Sequence, residues 1–221
     1  MKILLLALIM FFYPYCFAVN NTPQFSLGYN CIKGSELQLA RSRELQTLVN
    51  ADQTDREHWQ NTEAEMIKIA HKDLVRRKRV GEIFGEGCLQ DPKDYLAAAL
   101  IYQHGDTSDH FYQAFVWSKR AAELGDLNGQ SFSALAIDRY LLSVGKKQLF
   151  GSQFQKMLSG RCYCMQPVEL SIPDTFRKEY SGHSLDEKYQ KMASMNEAGC
   201  PSLECPTVLQ PTPKGSIIGL W

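Results

Sequence analysis

The chain has 221 residues, with 24 Lys+Arg against 24 Asp+Glu and 44% hydrophobic positions. This length and composition are typical of one globular domain and exclude a disordered or collagen-like chain. The zero formal charge lacks the basic excess of proteins that hold nucleic acid or anionic membranes, so we predict no nucleic-acid partner.

The N-terminus has the pattern of a secretory signal peptide. Lys2 precedes an apolar run that is too short to span a bilayer comfortably. Cys16 and Ala18 supply small residues for cleavage after Ala18, so we predict a signal peptide over 1–18 and an extended segment over 19–34. An uncleaved anchor is the alternative. We expect export to the periplasm or out of the cell, with no membrane span after cleavage.

The cysteines favour a set of disulfide bonds. Of the seven, Cys16 lies in the signal peptide, and six remain in a chain sent to an oxidising compartment. Cys162 and Cys164 are too close to bond to each other without strain, whereas Cys200 and Cys205 could close a small loop. A zinc site would need Cys-x-x-Cys spacing, so we predict no metal. The disulfide candidates, whose pairing the sequence leaves open, are Cys31, Cys88, Cys162, Cys164, Cys200 and Cys205.

Capping residues and glycines divide most of the chain into successive helices. The predicted starts are, in chain order, Ser35, Thr62, Asp91, Asp109, Asp126 and Ser184, and the predicted stops are Gly85, Gly105, Gly125, Gly145 and Gly199. Strand-like alternation is scarce. We therefore predict an all-α fold of stacked antiparallel helical hairpins with a loop-rich, disulfide-stapled C-terminal part. The helical domain covers 35–199, and a proline-containing tail covers 200–221. The sequence does not decide whether this tail joins the core.

A basic run, Arg76-Arg77-Lys78-Arg79, lies within the second predicted helix. Glu82 and Glu86 follow on the same helix and can pair with it. We therefore expect a solvated face here, not a surface that binds nucleic acid.

The stretch from Trp117 to Asp126 resembles one unit of the Sel1-type tetratricopeptide-like helical repeats. Its Ala121-Ala122 pair lets two antiparallel helices approach closely, and Gly125 supplies the turn between them. Stable solenoids need about three such units, so a full array is not expected. The resemblance implies helical hairpins whose concave surface binds a peptide or protein.

Four polar motifs lie along residues 48–195. They are Asp52-Gln53-Thr54-Asp55-Arg56, Gln103-His104-Gly105-Asp106, Asp138-Arg139 and Gln148-Leu149-Phe150-Gly151-Ser152-Gln153. In order and spacing they resemble an uncharacterised family of bacterial all-helical proteins, which are often exported. Phe150 and Ser152 stand where that family has Tyr and Thr. The resemblance implies a helical fold and brings no established activity.

These motifs allow two interpretations. In the first, the polar residues cap helices and form a buried hydrogen-bond network that pins the bundle. In the second, five of them surround one cleft, in which a histidine is the general base and an arginine binds an anionic group: His104, Asp106, Asp138, Arg139 and Gln153. Binding would then involve Gln53, Arg56, Gln103 and Gln148. No Gly-x-Ser-x-Gly elbow, His-Glu-x-x-His helix or phosphate loop identifies a reaction.

The sequence thus favours a module of the bacterial envelope or secreted fraction that binds another protein or peptide, without a cofactor. The alternative is a hydrolase or transferase. The positions of the five candidate side chains distinguish the two. Convergence on an open pocket favours the enzyme, and complete burial with mutual hydrogen bonding counts against it.

Overall fold

The computed structural model of the protein describes residues 31–57, 62–157, 162–200 and 204–220. The predicted signal peptide, its cleavage site after Ala18 and most of the predicted extended segment lie outside these residues. Within the described ranges, no helix combines the length and the apolar character that crossing a membrane requires.

The fold is all-α, as predicted. In the described residues the helices are α1 (Glu36–Glu57), α2 (Glu63–Gly85), α3 (Pro92–Gln103), α4 (Ser108–Glu123), α5 (Gly129–Ser143), α6 (Asp174–Ser181) and α7 (Leu185–Ser194). Two short strands, β1 (Phe154–Lys156) and β2 (Tyr163–Met165), form an antiparallel hairpin after α5. Successive helices from α3 to α5 pack as antiparallel hairpins, and the loop-rich C-terminal part follows.

Several helix starts are set by the capping side chains that the sequence displays. The Thr62 hydroxyl accepts a hydrogen bond from the Glu65 backbone N–H at the start of α2. Ser184 and Glu187 form a capping box at the start of α7. Because these contacts are made within one turn of helix, the sequence predicts them directly.

Two helix starts differ from the prediction. Thr107 caps α4, so that helix begins at Ser108. The Asp126 carboxylate accepts a hydrogen bond from the Asn128 backbone N–H at 2.8 Å, which makes a turn before α5 instead of capping it. Helix α6 was not predicted, and its N-cap is Pro173, which makes no side-chain cap.

The α4–α5 hairpin is packed tightly at one glycine. A Cβ atom on Gly129 would lie 2.5 Å from the backbone nitrogen of Ala122 and 2.7 Å from the carbonyl oxygen of Ser118. No larger residue fits there without a backbone shift. The core beneath it contains fully buried side chains from three successive helices, among them Ile101, Phe115 and Ile137.

The six cysteines that the structure describes form three disulfides: Cys31–Cys88, Cys162–Cys200 and Cys164–Cys205. The predictions that they bond, and that Cys162 and Cys164 bond elsewhere than to each other, are confirmed. The suggestion that Cys200 and Cys205 bond to each other and close a small loop is wrong. Cys162 and Cys164 are two residues apart on an extended segment, so both side chains point to the same side. Cys162 therefore bonds to Cys200, and Cys164 bonds to Cys205.

The C-terminal segment joins the core. Ile217 and Leu220 are buried in the same apolar cluster as the helices. The Thr212 backbone N–H donates to Oε2 of Glu169 at 2.8 Å, and its hydroxyl donates to the carbonyl oxygen of Lys147 at 2.7 Å. Apolar burial and backbone hydrogen bonds therefore fasten the segment that the sequence left open.

Candidate functional site

A carboxylate and an imidazole meet where α1 passes the C-terminal end of α3. Asp52 of α1 is 1% exposed, and its Oδ2 lies 3.0 Å from Nδ1 of His104, the C-cap residue of α3. An ionised carboxylate only accepts hydrogen bonds, so Nδ1 carries the proton and Nε2 of the neutral ring is the acceptor. Nε2 makes no hydrogen bond within the described part of the chain, and 21% of the His104 side chain is exposed.

The surroundings of Asp52 keep it ionised. Burial favours its protonated form, but the hydrogen bond from His104, the charge of Arg56 and the hydrogen bond from Gln53 together outweigh burial and lower the pKa of Asp52. Arg56 Nη1 donates to Oδ1 at 2.8 Å, and Gln53 Nε2 donates to Oδ2 at 2.8 Å. Asp52 is therefore suited to orient His104.

A second carboxylate holds Arg56 in place. Nη2 of Arg56 lies 2.7 Å from Oδ2 of Asp73 on α2, and Asp73 also accepts from Arg76 at 3.0 Å. Arg76 pairs with Asp55 as well. These contacts connect α1 with α2 and fix the position of Arg56 beside Asp52.

The basic run of α2 is not the solvated face that was expected. Arg76 and Arg77 are buried, because they turn toward acidic residues and carbonyl groups of neighbouring elements. Only part of the expectation holds: Arg79 pairs with Glu82 at 2.8 Å and with Glu86 at 3.7 Å. Because Arg76 and Arg77 are buried, this run does not form a basic patch on the surface.

Asp106 lies beside this site but outside it. Its side chain is 71% exposed and pairs with Arg77 at 3.2 Å and with His110 at 3.0 Å. Arg77 also donates to the carbonyl oxygen of His104 at 3.0 Å, so it ties the loop after α3 to α2. Within the described ranges, His, Cys, Asp and Glu side chains form no group of three or more that could hold a metal ion.

Arg139 approaches the same end of α3 from α5. Nη1 donates to the carbonyl oxygen of Gln103 at 2.5 Å, and Nε donates to Oε1 of Gln153 at 3.4 Å. The guanidinium carbon lies 5.8 Å from the centre of the Phe111 ring. Burial lowers the pKa of Arg139, and the nearby positive charge of Arg56 lowers it further. The two arginines are therefore electrostatic neighbours.

Arg139 has no acidic partner among the described residues. All 24 Asp and Glu side chains of the chain lie within the described residues, and none of them forms an ion pair with Arg139. Every other buried or half-buried arginine that the structure describes has such a partner: Arg41, Arg56, Arg76, Arg77, Arg79 and Arg177. Withdrawing a cation from water without a counter-charge is unfavourable, so this guanidinium is suited to receive an anion.

Asp138, the neighbour of Arg139 on α5, serves a different region. It is completely buried and accepts backbone N–H bonds at 2.7 Å from Leu149, 3.0 Å from Phe150 and 3.0 Å from Ser152. Complete burial raises the pKa of Asp138, although the three backbone donors oppose the shift. Asp138 thus holds the loop over residues 148–153, which we name the Asp138 turn.

Gln148 strengthens the Asp138 turn from inside. It is fully buried, its amide nitrogen donates to the carbonyl oxygens of Gln153 at 3.1 Å and Gln166 at 2.8 Å, and its amide oxygen accepts from the Gln153 backbone N–H at 2.9 Å. All of these partners are backbone groups. Gln148 is therefore a structural residue, and it fixes the backbone from which the Gln153 side chain reaches Arg139.

Of the five candidate catalytic residues, the structure brings together His104, Arg139 and Gln153, and it leaves Asp106 and Asp138 outside. Of the four candidate binding residues, Gln148 lies in the turn. We name as the polar cluster the seven residues Asp52, Gln53, Arg56, Gln103, His104, Arg139 and Gln153.

Sequence reasoning missed Asp52 as a site residue. The signal was present in its motif, because Asp52 precedes Arg56 by four residues and such a pair meets on one face of a helix. What the motif does not contain is the contact with His104, which is 52 residues away along the chain.

The class of protein defined so far is an all-α, disulfide-bonded domain with an Asp–His pair beside an arginine that lacks a counter-charge. Comparison of the chain with protein-family models, curated proteins and solved structures returned no match. The resemblance to the uncharacterised helical family stays a prediction.

Proposed function

We propose that the protein is a hydrolase or transferase in which His104 is the general base. The observation that supports this proposal is the 3.0 Å contact between Nδ1 of His104 and the buried, ionised Asp52. A carboxylate in this position fixes the tautomer that leaves Nε2 unprotonated, and it stabilises the imidazolium that forms when Nε2 takes up a proton. The side chain of His104 is 21% exposed, so the imidazole is in contact with solvent.

In the proposed reaction, Nε2 removes the proton from a water molecule or from an acceptor hydroxyl. The oxygen of that group attacks an electrophilic carbon or phosphorus atom of the substrate. The bond to the leaving group then breaks, and the leaving group takes the proton from Nε2 of His104. Asp52 stays ionised throughout. Water as the nucleophile makes the reaction a hydrolysis, and a hydroxyl makes it a transfer.

The test is an activity screen of purified, oxidised protein against carboxylic esters, amides and phosphate esters, with and without an acceptor alcohol. We expect turnover that falls by about 10²- to 10⁴-fold in His104→Ala. His110→Ala is the matched control, because His110 pairs with the exposed Asp106 outside the polar cluster, and it should keep wild-type activity. Equal turnover by the wild type and His104→Ala on every substrate class would contradict the proposal.

A second candidate function, an interaction module for another protein or peptide, is favoured by the exposed apolar side chains of α2. Ile67 is 65% exposed, and Leu74 and Val75 are each 56% exposed. Exposed apolar side chains grouped on one element are typical of a surface that a partner covers. A photo-crosslinking residue at position 74 should capture one reproducible protein in the producing cell, and the same residue at position 43, an exposed polar site on α1, should not.

We also propose that the protein is exported. The three disulfides support this, because such bonds persist in oxidising compartments. Fractionation of the producing cells should recover the chain from the periplasm or the medium, with the segment 1–18 removed. Recovery of a reduced, uncleaved chain from the cytoplasm would contradict export.

A further inference from the structure

The charges of the polar cluster do not balance. Asp52 faces both Arg56 and His104, and the second carboxylate that pairs with Arg56 is shared with another arginine of α2. Arg139 adds a further positive charge and brings no acidic partner. Such a field attracts an anion, and the low polarity of a partly buried site strengthens the attraction.

Arg139 also has hydrogen-bond donors to spare. A guanidinium carries five N–H groups in a planar fork. In Arg139, one N–H at Nε is directed to Gln153 and one at Nη1 to the carbonyl oxygen of Gln103, and the others meet no acceptor among the residues that the structure describes. The two contacts and the Phe111 ring hold the fork in one orientation. A fork fixed in this way matches the paired oxygens of a carboxylate or phosphoryl group.

The position of the fork relates the anion to the chemistry. Arg139 binds the carbonyl oxygen of Gln103, and His104 is the next residue of the chain. An anionic group held by Arg139 therefore lies at the same end of α3 as the partly exposed side chain of His104. A substrate anchored there would present a neighbouring atom to the base.

We propose that Arg139, supported by Arg56, is the subsite for a compact oxyanion, the carboxylate or phosphoryl group of a small substrate on which His104 acts. The inference rests on the proposed function only in assigning the anion to the substrate. Arg139 binds and orients the anionic group, and the proton transfer belongs to His104.

The test measures anion binding independently of activity. Inorganic phosphate and acetate are titrated separately into purified, oxidised protein at a constant ionic strength set with sodium chloride. Binding is followed by calorimetry and by the arginine Nε–H resonances. We expect saturable binding of phosphate or acetate, with the stronger of the two identifying the chemical source. Arg139→Gln should weaken that binding by about tenfold or more, since the bidentate contact is lost.

Two further variants make the result specific. Arg139→Lys keeps the charge and loses the fork, so its affinity should lie between those of the wild type and Arg139→Gln. Arg120→Gln is the matched control, because Arg120 is exposed and paired with Glu123, and it should bind the anion as the wild type does. Circular dichroism verifies folding. If Arg139→Gln does not fold, the Lys variant and the wild-type Arg139 Nε–H shift decide the question.

The inference is overturned if neither anion saturates the protein, or if Arg139→Lys and Arg139→Gln bind the anion as tightly as the wild type. A third comparison separates it from the proposed function. His104→Ala should keep anion binding, because the arginines hold the anion. Arg139-dependent binding without any turnover in the activity screen would reject the enzyme and keep the subsite. Turnover without Arg139-dependent anion binding would reject the subsite alone.

Discussion

The Asp138 turn and the polar cluster are built from the same kinds of residue, yet they differ in how their hydrogen bonds are used. In the turn, Asp138 and Gln148 are fully buried and most of their partners are backbone groups. In the polar cluster, His104 is partly exposed, and some N–H groups of Arg139 meet no acceptor in the part of the chain that the structure describes. A network whose hydrogen bonds are all made stabilises a fold, whereas one with unused donors is available to a ligand.

The contrast is sharpest between Asp138 and Arg139, which are adjacent on α5. Successive residues of an α-helix point about 100° apart. Asp138 consequently faces the buried turn, while Arg139 faces the end of α3. A single two-residue motif thus contains one structural and one candidate functional side chain.

The largest effect is expected for Asp138→Ala. Three backbone N–H groups, two of them buried, lose their acceptor, so the free energy of unfolding should fall by about 3 to 5 kcal/mol. Urea denaturation measures the loss. Asp109→Ala, at an exposed position of α4, is the control and should change it by less than about 0.5 kcal/mol. Equal stability of the two variants would show that Asp138 does not hold the turn.

A smaller loss is expected for Gln148→Ala. The variant removes two hydrogen bonds donated to backbone carbonyls, a weak one donated to Sδ of Met165 and one accepted bond from a fully buried side chain, at a cost of about 2 kcal/mol. The half-buried Gln153 is the comparison, and Gln153→Ala should cost less than about 1 kcal/mol. The same denaturation experiment ranks them, and the reverse order would break the division between turn and cluster.

Arg139→Ala should leave the free energy of unfolding within about 1 kcal/mol of the wild type. The variant loses two hydrogen bonds but also removes a half-buried cation that has no counter-charge. As the anion subsite of the proposed enzyme, Arg139 is needed to bind the substrate, so the same substitution should strongly reduce turnover. A destabilisation as large as that of Asp138→Ala would make Arg139 a structural residue.

The smallest effect concerns pH, and here the two regions should have opposite signs. The pKa of Asp52 is lower in the folded protein than in the unfolded chain, where it is about 3.9. Ionised Asp52 therefore stabilises the fold above the unfolded pKa, and this stabilisation is lost as the pH falls through the folded pKa. The pKa of Asp138 is higher in the folded protein than in the unfolded chain. The free energy of unfolding therefore falls as the pH rises above the unfolded pKa of Asp138.

The destabilisation caused by Asp52→Asn should therefore shrink when the pH is lowered from about 7 to about 3, and that caused by Asp138→Asn should grow. Urea titrations of both variants and the wild type at several pH values measure the two slopes. Slopes of the same sign would contradict the assigned environments of the two carboxylates.

Part of the fold could be predicted because it depends on neighbours in the chain. Thr62 caps α2 and Ser184 caps α7 through residues less than one turn away. The same reasoning failed at Asp126, where the side chain uses its acceptor in a turn before α5. Local patterns list the options of a polar side chain, and the choice between them depends on where the chain goes next.

The candidate site was only partly predictable for the same reason. The motifs named His104, Arg139 and Gln153, but they gave equal weight to Asp106 and Asp138 and did not select Asp52. What separates these residues is burial and partner geometry, since Asp106 faces solvent and Asp138 faces the core. Neither property is a function of residue type and spacing.

Composition, capping patterns and cysteine number were enough to establish an all-α, disulfide-bonded chain, because helix periodicity and thiol oxidation are local or compositional properties. The tertiary structure was needed to show which cysteines bond to Cys162 and to Cys164, and to show the contact between Asp52 and His104. Both depend on distances between segments far apart in the chain. Packing of the helices and burial of the C-terminal segment set those distances, and with them the division between a buried turn and an accessible polar cluster.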